Sequence, residues 1–212
     1  PESDWDYLGV YVSPTEQVLS LDPPPETVVR TEPDFEAHEA GKFCRLLLKG
    51  NPSMVEMLFT EQAFFSLHEF ELLRDERRRF LSIRVLRQYL GYALGQLRRL
   101  ENQTRLHTKG GDYNTKWAYH LLRLLEDARL IASGAEPVVY KDGPERDFLL
   151  CVRTENLPPE QIAALANERL AAVEALKPWP LPPEGDREFL NQWLLDLRKL
   201  YYGKSFKMAP QR

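Results

Sequence analysis

Cysteine is scarce in this chain of 212 residues: only Cys44 and Cys151 occur, each inside a short apolar run. Two buried thiols fit a reducing compartment better than a disulfide or a redox pair, which points to an intracellular protein, the cytoplasm first. Long hydrophobic runs are missing as well. The longest, such as Cys44–Leu48 and Phe148–Val152, fall far short of the roughly 20 residues that span a bilayer, so no transmembrane helix and no membrane partner is expected. The opening Pro1-Glu2-Ser3-Asp4 is neither a secretory signal nor a transit peptide. A Walker loop, a Gly-x-Gly-x-x-Gly turn and a Ser-His-Asp order are absent. His38 and His68 have no partners at ligand spacing, which speaks against a zinc site.

Net charge is only −4, but it is unevenly distributed. Arg74 to Arg123 holds twelve Lys or Arg against four Asp or Glu, while the rest of the chain is acidic. Such a basic middle gathers phosphate, of a nucleotide or of RNA, unless it is a solvated helix surface. The Arg77-Arg78-Arg79 run is the part most suited to an RNA backbone.

The length allows one large domain or two small ones. Strand signals lead: Tyr7–Val12, then Val18–Leu21 before the Asp22-Pro23-Pro24-Pro25 stop, then Thr27–Arg30. Helical periodicity follows over Glu39–Lys49, Glu61–Arg74, Ile83–Arg105, Asn114–Ser133, Pro159–Ala175 and Glu188–Tyr202. Asn51 is a cap for a further helix opening at Pro52, and Gly134 suits a helix C-terminus. Pro137–Tyr140 and Asp147–Val152, linked through Asp142-Gly143, read as a β-hairpin. The expectation is an α+β fold, with a small mixed sheet and first helices over 1–75 and a mostly helical region over 76–212.

Chemistry concentrates at Ser3-Asp4-Trp5-Asp6-Tyr7, which runs straight into the first strand. Residues i and i+2 of a strand share a face, roughly 6.6 Å apart, so Asp4 and Asp6 can converge on hard cations. Two-metal phosphoryl transfer uses carboxylates in this way, with the ions about 3.5–4 Å apart. Asp34 follows the Val28-Val29 strand, where a neighbouring strand brings it beside the pair; Glu36 is its substitute, and a helix N-cap is the structural alternative for Asp34. Lys116, His120 and Arg123 recur at i, i+4 and i+7, on one helix face. They suit phosphate and nucleotide contacts, or a salt-bridged face. Glu56 can pair with an arginine of the basic middle.

These residues also carry a resemblance. Ser3 to Val12 resembles the catalytic strand of the DNA polymerase beta-like nucleotidyltransferases, in particular a predicted group associated with RNA repair. His38-Glu39-Ala40-Gly41-Lys42-Phe43 after Asp34, the Gly-Asn-Pro-x-x-x-Glu of Gly50 to Glu56, Phe80-Leu81, Gly91-Tyr92-Ala93 and the Lys-x-x-x-His-x-x-Arg-Leu of Lys116 to Leu124 are similar to that group in order and spacing, across roughly residues 3–155. The resemblance implies Mg²⁺, with Mn²⁺ as a substitute, held by Asp4, Asp6 and Asp34. It also implies an NTP bound by Lys116, His120 and Arg123, a nucleoside monophosphate transferred to a hydroxyl of RNA, and RNA bound through the basic 74–123 segment. The superfamily's Gly-Ser element lies upstream of the Asp pair, and only three residues precede Asp4 here. Enzyme activity is therefore expected if the native chain carries that element. A catalytically inactive scaffold binding nucleotide, RNA or protein is expected if it does not.

Overall fold

The structure is a computed structural model that describes residues 6–106, 113–155 and 157–204. Its sheet has three strands, β1 (Tyr7–Tyr11), β2 (Thr27–Thr31) and β3 (Asp34–Glu39), in the order β1-β3-β2. β1 runs parallel to β3, while β2 and β3 form a tight antiparallel hairpin in which Thr31 faces Asp34 across Glu32-Pro33. Parallel strands need a long crossover, and α1 (Thr15–Val18) and β2 lie within it.

Asp34 opens β3 rather than capping a helix; the cap belongs to Glu39, whose Oε2 accepts from the Gly41 N–H at 2.7 Å. α2 (Ala40–Leu48) follows without a linker and buries Phe43, Cys44 and Leu47, one helical turn apart. Each such side chain contributes roughly 1.5–3 kcal/mol by leaving water. The chain then turns at Gly50, whose φ is +78° and where a Cβ would stand 3.0 Å from Val85 Cα. Only glycine fits both the left-handed conformation and this close approach. Asn51 caps α3 (Pro52–Phe59) as its position before a proline predicts, accepting from the Met54 N–H at 3.3 Å.

α4 (His68–Asp75) and a 3-10 turn at Arg77–Phe80 lead into the central pair, α5 (Ile83–Leu106) and α6 (Thr115–Ala132). Their facing residues, among them Leu86, Tyr89, Ala93, Leu121, Leu122 and Leu125, form the middle of a core that reaches from Phe43 to Leu190. α7 (Gly143–Thr154) and α8 (Pro159–Ala175) pack on α6. α9 (Arg187–Leu200) returns to the sheet, where Leu197 and Tyr201 cover Ala40. No helix among the described residues is long and apolar enough to cross a membrane.

Three expectations are corrected. The hairpin expected over 137–152 does not form. Asp142-Gly143-Pro144 starts α7 instead, with proline in the first helical turn, and Leu149 and Val152 lie on its buried side. The preceding segment hydrogen-bonds a carboxylate, not a strand: Val138 N–H donates to Asp127 Oδ1 at 3.3 Å. Val18–Leu21 is not a strand either, because Val18 ends α1 and Leu19 and Leu21 lie in water with no sheet beside them. The helix expected from Glu61 begins only at His68, and the loop before it exposes Phe64 and Phe65.

Candidate functional site

The β1–β3 register pairs Tyr7 with Phe35, Leu8 with Glu36 and Val10 with His38. One step earlier, the same register sets Asp6 level with Asp34. Neighbouring strands are about 4.8 Å apart, and residues abreast share a face. Asp6, Asp34, Glu36 and His38 therefore lie on one side of the sheet. Tyr7 turns to the other side, where its ring meets Phe64 edge-on at 6.4 Å. Asp6 and Asp34 are exposed, and no cation among the described residues pairs with either carboxylate. Like charges abreast on a sheet destabilise it, a cost that a cation between them removes. Asp4, the third expected carboxylate, lies outside the described residues. Among the described residues no group of three or more His, Cys, Asp or Glu is arranged to hold a metal. The donor chemistry of Asp6 and Asp34, hard carboxylate oxygen open to solvent, fits Mg²⁺ or Mn²⁺.

Further along that face the groups are locked together. His38 Nε2 lies 3.6 Å from Glu36 Oε1 and its Nδ1 lies 3.3 Å from Thr27 Oγ1, which also accepts from Lys42 Nζ. Burial, and after it the Lys42 charge, holds His38 below the usual histidine range, against the opposing pull of Glu36. Burial thus disfavours the charged ring, which stands beside Glu36. Glu39 faces the opposite way and binds Arg198 of α9 through both oxygens, at 2.7 Å each.

On α6, Lys116, His120 and Arg123 do share a face. Burial, then Arg123, Lys116 and Arg153 of α7, pushes the His120 imidazole down to about 4. Arg123 is already engaged: its Nη1 donates to Glu56 Oε1 at 3.0 Å and lies 3.9 Å from Asp127 Oδ2. Asp127 is fully buried and also accepts from Lys141 Nζ. Two carboxylates and two cations thus balance inside the core, beside the buried Tyr89 hydroxyl, which has no hydrogen-bond partner among the described residues. Burial raises both the Glu56 and Asp127 carboxyls. No hydrogen bond or ion pair among the described residues joins this face to Asp6 or Asp34.

The basic middle is largely self-neutralised at its start. Arg77 and Arg78 both donate to Glu136, at 2.9 and 2.7 Å, and Arg79 bonds Glu76 and Asp186, at 2.6 and 3.1 Å. Arg84 pairs with Glu184.

A profile of the RNA repair pathway DNA polymerase beta family matches residues 1–196. The chain belongs to that family. No curated protein and no solved structure matches it.

As a polymerase beta-family protein the chain has a role of nucleotidyltransferase type. Of the residues expected from sequence, Asp6 lies one residue before β1 and Asp34 opens β3, and Lys116, His120 and Arg123 lie on one face of α6. Sequence reasoning missed the parts His38, Thr27 and Lys42 play on the carboxylate face, because β3 itself carries few strand-forming residues. It also missed Arg153 of α7, which contacts α6 from just beyond the residues 147–152 expected as a strand.

Proposed function

We propose that this polymerase beta-family protein is a Mg²⁺-dependent nucleotidyltransferase acting in the cytoplasm. It transfers a nucleoside monophosphate from an NTP to a hydroxyl, that of an RNA. The observation that carries this reading is the register of the parallel strands β1 and β3, which, extended by one residue, sets Asp6 abreast of Asp34, two carboxylates that no cation among the described residues pairs with. With Asp4, they would hold the divalent cation. When bound, that ion supplies positive charge to the triphosphate and acidifies the attacking hydroxyl.

The chain's own groups do the rest. Asp34 accepts the acceptor hydroxyl's proton as its oxygen bonds to the α-phosphorus and the bond to the departing pyrophosphate breaks. Lys116 meets triphosphate charge, His120 hydrogen-bonds a phosphate or ribose, and Arg123, held by Glu56, keeps the α6 face positive. The rate gain comes from positioning and fixed charge, as in phosphoryl transfer generally.

Calorimetry of NTP binding with and without Mg²⁺, on the wild type and an Asp6→Asn/Asp34→Asn variant, tests the reading. Binding that requires both the metal and the carboxylates supports it. Equal binding by the variant refutes it, and Mg²⁺-dependent binding without transfer would identify an inactive scaffold instead.

A further inference from the structure

Two helices bring four polar groups together near the start of α6. Lys116 is exposed, and His120 is half-buried one turn further on. Arg153 reaches across from α7, its Nη1 donating to Thr115 Oγ1 at 2.7 Å. That hydroxyl accepts the guanidinium proton and keeps its own proton for another acceptor. Arg123 lies on the same face, but Glu56 and Asp127 occupy it. Among the described residues no carboxylate pairs with Lys116, His120 or Arg153. The imidazole registers the resulting field: after burial, the groups that hold it near 4 are all cations, Arg123, Lys116 and Arg153, with no acid opposing them. Cations gathered without a counter-ion repel one another, and an anion between them relieves that repulsion.

We propose that Thr115, Lys116, His120 and Arg153 form a phosphate-binding site that takes a phosphoryl group of a free nucleotide or of a polynucleotide. Arg153 offers a planar fork, Lys116 a point charge and Thr115 a hydroxyl donor. His120 takes up a proton as the anion arrives and becomes a further charged donor. The positive end of α6 lies beside them. The inference rests on the proposed function and deepens it by adding Arg153 and Thr115 to the phosphate contacts of Lys116 and His120. It concerns phosphate capture alone and does not depend on the sheet carboxylates.

The test is an NMR titration of the full chain with inorganic pyrophosphate in the absence of divalent cations, following His120 Hε1. Saturation is expected to raise the His120 pKa by about one unit or more. Arg153→Gln and Lys116→Gln should each weaken binding about tenfold or more, with unchanged circular dichroism, while the Asp6→Asn/Asp34→Asn variant binds as wild type. Should Arg153→Gln fail to fold, Lys116→Gln, a change at an exposed side chain, carries the comparison. Repeating the titration with ATP and with a single-stranded RNA oligonucleotide identifies the phosphate source by the tighter binder. An unresponsive His120, or wild-type affinity in both variants, overturns the site. Mg²⁺-dependent NTP binding retained alongside that failure would leave the proposed function standing.

Discussion

Arg123 of α6 donates to Glu56 of α3 at 3.0 Å, and the two side chains are less than a fifth exposed. The pair ties together the two most distinctive motifs of the sequence, Gly-Asn-Pro-x-x-x-Glu and Lys-x-x-x-His-x-x-Arg-Leu. Such a pair joins two stretches of chain firmly only while both partners remain.

Removing one partner leaves the other buried without its counter-charge, which costs about 3–5 kcal/mol. Arg123→Met should therefore lower the unfolding free energy by that order in urea titration, because Glu56 loses its cation and Asp127 keeps only Lys141. Glu56→Gln should cost less, since Arg123 retains Asp127 at 3.9 Å.

Asp6→Asn and Asp34→Asn should behave in the opposite way. Both side chains are exposed, so stability should stay within about 0.5 kcal/mol of wild type. Mg²⁺-dependent nucleotide transfer should fall on the order of 100-fold or more for either change, the effect of losing a metal ligand worth several kcal/mol. Initial-rate measurements alongside thermal melts would separate the two effects.

Periodicity made most helices readable before any coordinates, and so did two end signals, Asn51 before Pro52 and Gly134 after α6. The third strand was not readable. Asp34–Glu39 contains no Val, Ile or Thr, and its conformation comes from pairing with β1 and β2 on either side. Tertiary pairing overrode local preference there. Asp142-Gly143 misled for another reason, since the residues that favour a hairpin turn also begin a helix when proline follows. The carboxylate pair was legible as Asp-x-Asp plus Asp34, but that Arg123 is held by Glu56 and Asp127 while Arg153 approaches depends on packing between α3, α6 and α7, and no single stretch of sequence encodes it.

Glu39 provides a pH test. Burial opposes its ionisation, but Arg198, the Gly41 N–H and the Ser13 N–H together hold the carboxyl below the ordinary 4.5. A depressed carboxyl stabilises the fold above its unfolded value and loses that contribution as pH falls through the folded one. Arg198→Met should destabilise at pH 7 by about 2–4 kcal/mol, and the gap from wild type should narrow below pH 4.5.

His120 shifts in the other sense. Its folded value near 4, against 6.5 in the unfolded chain, means that the unfolded state binds the extra proton. Stability is whole above pH 6.5 and declines as pH falls toward 4. Between pH 7 and pH 5 the loss from this one ring is about 1–2 kcal/mol. His120→Gln should remove that part of the slope, as unfolding free energies at the two pH values would show.

The clasp between α9 and the sheet has a consequence for how the molecule is made. Arg198 grips Glu39, Thr15 Oγ1 donates to the Arg198 carbonyl, and the Thr15 N–H donates to the carbonyl of Tyr201. A chain emerging from the ribosome presents its carboxylate strands well before α9, so Glu39 gains its guanidinium partner only once Arg198 has been synthesised. Until α9 emerges the Glu39 carboxylate lacks its counter-charge, and α9 then acts as a latch across that end of the sheet.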